Sequence, residues 1–152
     1  MRKALLILVC AVSLAYGGTK KFVVDLTTGE TSTLMTRFFG GVPSTADYFT
    51  ARGERVEIAV IIHGEAYKYF VKNLENTQYG VDEKLAADQE TILAKLEAMR
   101  KKYAITLEVC QSGMHRKGIL TQDIYPFVTP IPSAMIGLVK WQNEGYSYIP
   151  VH

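Results

Sequence analysis

Residues 56–64 read VEIAVIIHG, and this stretch decides the fold class. The segment from Val56 to Ile62 is almost continuously apolar, which is typical of a strand covered on both faces of a parallel sheet. The apolar run stops at His63 and Gly64, where we expect the strand to end. The stretch therefore predicts a buried parallel strand that delivers a histidine to the edge of a sheet.

Strands and helices alternate on both sides of this stretch. Further strands are predicted at 22–26, 105–109, 128–131 and 146–149. Helices are predicted at 34–39, 45–51, 65–73, 83–103 and 134–143, with Ser44, Asp82 and Ser133 as candidate N-caps. Gly40, Gly41 and Pro43 are expected to separate the first two helices. The alternation predicts an α/β fold, with a parallel sheet and helices on both of its faces.

The N-terminus has the pattern of a secretion signal. Arg2 and Lys3 precede an apolar run of roughly 12 residues, which is followed by small residues. A membrane span needs roughly 20 apolar residues, so we expect residues 1–17 to be a cleaved signal peptide. An uncleaved anchor and lipidation at Cys10 are the alternatives. The predicted location is periplasmic or secreted, with residues 18–152 forming one domain and no stable membrane span after cleavage.

The charge balance excludes some classes of partner. The chain has 17 Lys+Arg and 15 Asp+Glu, and loss of Arg2 and Lys3 with the signal leaves 15 of each. A nearly neutral domain without a basic stripe predicts no nucleic-acid partner. The motifs of dinucleotide-binding, nucleoside-triphosphate-binding, thioredoxin-type and common hydrolase proteins are absent, and we expect no cofactor.

Polar residues follow three of the predicted strands. They begin at Asp25, at His63 and at Cys110. Right-handed crossovers bring the carboxyl ends of parallel strands to one edge, where ligand sites lie. We therefore expect Cys110 and His63 to share one mouth and to be the candidate catalytic residues. The candidate ligand-binding residues are Asp25, Gly64, Gln111, Ser112 and Gly113, although capping of the following loop is the preferred role for Asp25.

Cys110 is the sharpest chemical feature, because a mature chain with one cysteine cannot form an internal disulfide. At the start of a helix, backbone N–H groups can lower a cysteine pKa from about 8.5 to between roughly 3.5 and 7.5. The thiolate could attack sulfane sulfur, carry a persulfide or bind a soft metal. The alternative is a small buried side chain at the end of a core strand.

His63 and two residues after Cys110 have competing interpretations. His63 could deprotonate or orient the thiol, ligate a metal, or bond to a nearby carbonyl where its strand ends. A soft-metal site would combine Cys110 and His63 with Met114, but these residues lack close spacing and no metal site is predicted. Met114 is more simply a packing residue, and His115 is expected to be exposed. Gly64 and Gly113 are expected to allow a sharp turn or a close backbone approach.

Four segments together resemble a known family. They are KFVVDLTTGE (21–30), VEIAVIIHGEAYKYF (56–70), ITLEVCQSGM (105–114) and IYPFVTPIPSAMIGLVKWQNEGYSYIP (124–150). They are similar to the DsrE/DsrF-like proteins of the sulfur-relay superfamily that includes the TusBCD type. The resemblance implies a three-layer α/β/α sandwich around a mostly parallel sheet of about five strands. It also implies a homo-oligomer, often a trimer or hexamer.

The resemblance also implies a role for Cys110. In sulfur-carrying members, a cysteine after a central strand accepts sulfur as a persulfide, and Cys110 matches that position. His63 matches a histidine common near the pocket. Export departs from the cytoplasmic relay proteins, so we expect a small sulfur-containing molecule as partner and not tRNA thiolation. The alternative function is a non-catalytic oligomeric binding module for a small ligand or a soft metal.

Overall fold

Five strands form a single sheet in the computed structural model, which describes residues 17–152. The strands are β1 (Gly17–Leu26), β2 (Glu54–Ile62), β3 (Ala104–Cys110), β4 (Thr129–Ile131) and β5 (Ser147–Val151). All neighbouring strands are parallel, in the order β4-β3-β2-β1-β5. The predicted α/β class is confirmed, and the structure adds the strand order.

The three central strands end level with one another. Ile62 pairs with Leu26 of β1 and with Val109 of β3, so the residues that follow these positions emerge at the same edge. Consecutive residues from Ala59 to Ile62 are all fully buried, which shows that both faces of β2 are covered. The apolar run therefore builds the centre of an α/β/α sandwich and sets the height at which His63 and Cys110 lie.

The helices lie between the strands in the chain. They are α1 (Thr31–Thr33), a π-helical segment (Leu34–Gly41), α2 (Val42–Thr50), α3 (Glu83–Lys102), α4 (Gln111–Arg116) and α5 (Ala134–Asn143). Short 3₁₀ turns occur at Ala66–Phe70, Leu74–Asn76 and Thr121–Asp123. Two predicted caps are confirmed, since Asp82 accepts from Leu85 N at 2.9 Å and Ser133 accepts from Ile136 N at 3.3 Å.

The predicted break near Pro43 is wrong. The chain stays helical from Thr31 to Thr50, and Gly41 itself has helical torsion angles of φ −68° and ψ −44°. Pro43 lies in the first turn of α2, where its missing N–H costs little, and the wider π-helical turns precede it. Ser44 is therefore an interior residue of α2 and not a cap.

The helix predicted for residues 65–73 is reduced to the 3₁₀ turn Ala66–Phe70. Val71 forms an antiparallel bridge with Ile124, and Tyr125 N bonds to Phe70 O at 3.0 Å. These contacts extend the chain at the point where a helix would have continued. The turn keeps its aromatic side chains buried, so the apolar pattern that suggested a helix reflects burial on several sides.

The predicted signal peptide lies outside the described residues, apart from Gly17, the first residue of β1. Within residues 17–152, no helix has the length and apolar character that a bilayer span requires.

Candidate functional site

Cys110 and His63 line the same cleft, which has a volume of about 600 Å³. Cys110 is the last residue of β3, and His63 directly follows β2. The other lining residues are Gly64, Glu65, Tyr67, Ser112, Gly113, Arg116, Lys117, Ser133, Ala134 and Met135. The expected shared mouth is therefore present at the carboxyl edge of the sheet. The Cys110 side chain lies deep in it, with 5% of the residue exposed.

The surroundings of Cys110 favour its thiolate. Burial raises the pKa of the thiol, but hydrogen bonds from the Ser112 hydroxyl and from the backbone N–H groups of Gly113 and Ala134 outweigh the effect of burial. The resulting pKa of the thiol is about 7, below that of an unperturbed cysteine. The Ser112 Oγ lies 3.3 Å from the Cys110 Sγ. A large share of the thiol is therefore ionised at neutral pH.

The start of α4 is held in place by close backbone contacts. The Tyr67 hydroxyl donates to the Cys110 carbonyl oxygen at 2.9 Å, and Ser112 N donates to Pro132 O at 3.3 Å. A Cβ on Gly113 would overlap the Tyr67 hydroxyl. The expectation that Gly113 permits a close approach is confirmed, and the group that approaches is the tyrosine that bonds to the backbone of Cys110.

Gly64 makes the sharp turn that follows β2. It has a positive φ of 64°, and a Cβ there would lie 3.1 Å from the Thr27 carbonyl oxygen. The left-handed conformation favours glycine, and a side chain here would also crowd the Thr27 carbonyl oxygen. The turn lies between His63 and Glu65, which both line the cleft.

His63 is oriented by Asp25. The Asp25 Oδ1 lies 2.6 Å from the His63 Nε2, and the Tyr148 hydroxyl donates to the Asp25 Oδ2 at 2.6 Å. Burial raises the pKa of Asp25, but the hydrogen bonds from His63 and Tyr148 outweigh it and the pKa is lowered. An ionised carboxylate can only accept, so the Nε2 of His63 carries a hydrogen and donates it to Asp25.

Asp25 therefore has a different place from the one preferred from sequence. The following loop is capped by Thr28, whose Oγ1 accepts from Glu30 N at 3.1 Å, so the capping role expected for Asp25 is wrong. Asp25 is buried and is not among the residues that line the cleft. It contacts the cleft through His63.

The residues that follow Cys110 divide between the cleft, the core and the solvent. Ser112 lines the cleft, whereas the neighbouring Gln111 does not. Met114 is fully buried, which is the packing role expected for it, and His115 is exposed as expected. Across residues 17–152 no group of three or more His, Cys, Asp or Glu side chains is placed to hold a metal ion. Met114 does not line the cleft, so it cannot complete a soft-metal site there with Cys110 and His63.

Sequence reasoning missed Tyr67, Arg116 and Tyr148 as site residues. Tyr67 and Tyr148 bond to Cys110 and Asp25 from elements far away in the chain, which no local pattern reveals. Arg116 is the last residue of α4 and lines the cleft, six positions after Cys110 in the chain.

Comparison with known proteins gives the family and the fold. An uncharacterized protein of Aquifex aeolicus is 25% identical over 150 residues, and the match covers 99% of this chain but only 64% of that longer protein. A solved structure of a protein of unknown function from Methanobacterium thermoautotrophicum aligns with a TM-score of 0.58 and 17% identity, covering 89% of this chain and 98% of that one.

A second solved structure, a conserved protein of unknown function from Bacteroides thetaiotaomicron, aligns with a TM-score of 0.52 and 15% identity, covering 88% and 94% of the two chains. These two likenesses show a shared fold alone. The sequence model of the DsrE/DsrF-like family matches residues 21–151, nearly all of the described chain. The chain therefore belongs to the DsrE/DsrF-like family.

Proposed function

We propose that this protein is an exported carrier of sulfane sulfur, which it holds on Cys110 as a persulfide. The observation that carries the proposal is a thiol with a pKa of about 7 in a cleft that it shares with His63. Thiolate character determines how readily a cysteine attacks sulfur. Membership of a sulfur-relay related family supports the same role.

The transfer step needs neither an oxidant nor a reductant. The Cys110 thiolate attacks the terminal sulfur of a donor R–S–S⁻, the donor S–S bond breaks, and its electron pair leaves with R–S⁻. The product is a persulfide, Cys110–S–S⁻. An acceptor thiolate then removes the terminal sulfur by the same exchange, which restores the Cys110 thiolate.

His63 lies in the same cleft as Cys110, and in this proposal its ring supplies a proton to the departing thiolate. Hydrogen bonds from the ring to Asp25, and from Tyr148 to Asp25, hold the ring in one orientation. Transfer is therefore expected to slow, but not to stop, when His63 is replaced by glutamine.

Peptide mass spectrometry tests the proposal. After exposure to inorganic polysulfide and blocking with iodoacetamide, the peptide containing Cys110 is expected to gain the mass of one or more sulfur atoms. The Cys110→Ser variant is the control, and peptide analysis separates Cys110 from Cys10. Absence of added sulfur on Cys110, while free glutathione in the same tube gains it, would contradict the proposal.

The low exposure of Cys110, 5%, favours a second candidate in which the cleft binds a small ligand without transferring sulfur. In that case the Cys110→Ser variant retains ligand binding and stability, because the hydroxyl replaces the thiol with little change in volume. In the sulfur-carrier case the same variant loses all sulfur loading. The two measurements on one variant separate the candidates.

Export and self-assembly complete the proposal. Export is supported by the charged and apolar pattern of residues 1–17, and fractionation of cells tests it. Assembly into a trimer or hexamer is supported by three exposed apolar residues of α5, Met135, Ile136 and Val139, at 78%, 57% and 58% exposure. Light scattering on the purified protein measures the subunit number, and a monomer at micromolar concentration would contradict assembly.

A further inference from the structure

The charges that line the cleft do not cancel. Apart from His63, the charged side chains in its wall are Glu65, Arg116 and Lys117. Lys117 Nζ lies 2.7 Å from Glu65 Oε1, and this hydrogen bond raises the pKa of the lysine and keeps it charged. Lys117 and Glu65 therefore neutralise each other. Arg116 is part of none of the ion pairs found within residues 17–152.

The Arg116 charge reaches the side of the cleft that holds the thiol. Burial raises the pKa of the Tyr67 hydroxyl, and the Arg116 charge acts on that hydroxyl in the opposite direction. The same hydroxyl bonds to the Cys110 carbonyl oxygen at 2.9 Å. Arg116 thus places a positive charge, outside any ion pair of the described residues, in the wall of the cleft that also holds Cys110.

We propose that the cleft takes a small anionic sulfur donor, whose negative end pairs with the Arg116 guanidinium while its outer sulfur meets Cys110. This assignment rests on the proposed function for its chemistry and deepens it by naming the substrate class. A guanidinium presents paired N–H donors that match the oxygen atoms of an anion. A volume of about 600 Å³ suits a small molecule.

Thiosulfate is the simplest donor of this class. The Cys110 thiolate attacks its outer sulfur, the S–S bond breaks, and the electron pair leaves with sulfite, so that atoms and charge balance without a further reactant. Repulsion between the thiolate and a dianion opposes this approach, because both are negative. The positive charge of Arg116 reduces that repulsion. The position of Arg116 in the cleft wall therefore favours an anionic donor.

Two alkylating agents of nearly the same shape test the charge preference without any sulfur transfer. Iodoacetate is anionic and iodoacetamide is neutral, and peptide mass spectrometry measures how fast each modifies Cys110. We expect the iodoacetate-to-iodoacetamide rate ratio to be higher in the folded protein than in the urea-unfolded chain. The Arg116→Gln variant is expected to lower the ratio by about threefold or more, whereas the Arg37→Gln variant, at another exposed arginine, leaves it unchanged.

Protection by thiosulfate tests the binding step directly. Thiosulfate is expected to slow the modification of Cys110 by iodoacetamide at a fixed ionic strength set with chloride, and to do so less in Arg116→Gln. An unchanged rate ratio in Arg116→Gln, or equal protection in both proteins, would overturn the assignment. Failure to form a persulfide would overturn the proposed function instead, since alkylation does not depend on sulfur transfer.

Discussion

The carboxylate of Asp25 lies 2.6 Å from the imidazole of His63, and this contact joins the ends of β1 and β2. Tyr148 of β5 completes the group from the other side by donating to the same carboxylate at 2.6 Å. Three strands that are far apart in the chain thus determine the orientation of one ring. His63 lines the cleft, whereas Asp25 and Tyr148 do not.

Replacement of Asp25 by asparagine is expected to destabilise the protein by about 1–3 kcal/mol at pH 7, since a buried partner loses its charged hydrogen bond. The pKa of Asp25 is lower in the folded protein than its ordinary value of 3.8, so ionisation stabilises the fold above that value. That stability is lost as the pH falls through the folded pKa. The difference between wild type and variant should therefore shrink between pH 7 and pH 3.

Urea unfolding at the two pH values measures both effects for Asp25→Asn. Asp88→Asn is the matched control, because its carboxylate bonds to the exposed Lys84 on the surface of α3. Such a surface pair contributes less than about 1 kcal/mol. Equal losses in the two variants at pH 7 would show that the Asp25–His63 contact has no special weight.

The rate of Cys110 modification by iodoacetamide should rise with pH around a midpoint near 7, the pKa of this thiol in the folded protein. In the urea-unfolded chain the midpoint should move to about 8.5. Because the folded value is the lower one, ionisation of the thiol stabilises the fold at alkaline pH, and this contribution is lost as the pH falls through 7. A midpoint in the folded protein at or above that of the unfolded chain would show that the site does not lower the pKa of Cys110.

Ser112→Ala should raise the pKa of Cys110, because the hydroxyl 3.3 Å from the sulfur no longer donates to the thiolate. A hydrogen bond to a charged group is worth about 1.5–3 kcal/mol, so the modification rate at pH 6.5 should fall by roughly tenfold. Ser147→Ala, at an exposed position of β5, is the control and should leave the rate as it is. A rate unchanged in both variants would assign the low pKa to the backbone donors alone.

Much of the fold follows from patterns that are local in the chain. The apolar run before His63 predicts a strand covered on both faces, and the spacing of apolar residues in α3 predicts one long helix, because each pattern reports which faces are buried. The helix through Pro43 could not be predicted in the same way. Its continuity passes through the π-helical turns of Leu34–Gly41, where Leu34 and Phe38 are buried, and no local sequence pattern indicates such turns.

The part of the site that could be predicted from the sequence consists of the residues at the ends of strands. Cys110 and His63 follow neighbouring parallel strands, so the edge they share follows from topology. Tyr67 and Arg116 enter the site through tertiary contacts, and Asp25 was misjudged because its partner, Tyr148, lies on the last strand. The strand order places β5 beside β1, and this pairing brings Tyr148 to the carboxylate of Asp25.

Gly113→Ala should destabilise the protein by about 1–3 kcal/mol, because the added methyl group would overlap the Tyr67 hydroxyl. Tyr67→Phe in the same chain should relieve part of this cost by removing the oxygen atom. Gly18→Ala, where no heavy atom lies within 4 Å of the new methyl group, is the control and should cost little. Strictly additive losses for Gly113→Ala and Tyr67→Phe would show that the two residues do not compete for space.

The carboxylate of Glu108 lies in the interior, with 6% of the residue exposed, and it is held by two residues of α5. Trp141 Nε1 donates to its Oε2 at 2.7 Å, and Lys140 Nζ lies 3.2 Å from its Oε1. Glu108→Ala leaves the buried indole N–H without an acceptor, which should cost about 1–3 kcal/mol. Glu108→Gln keeps an acceptor oxygen and should cost less.

A double-mutant cycle with Trp141→Phe separates this bond from the packing around it. If Glu108→Ala lowers the free energy of unfolding because the indole N–H is left unpaired, the same substitution should lower it less when residue 141 is already phenylalanine. No donor is then left unpaired. Urea unfolding followed by circular dichroism measures all four proteins, since Trp141 is the single tryptophan and fluorescence would be lost with it. An equal cost of Glu108→Ala in both backgrounds would show that α5 is held to β3 by packing and not by this hydrogen bond.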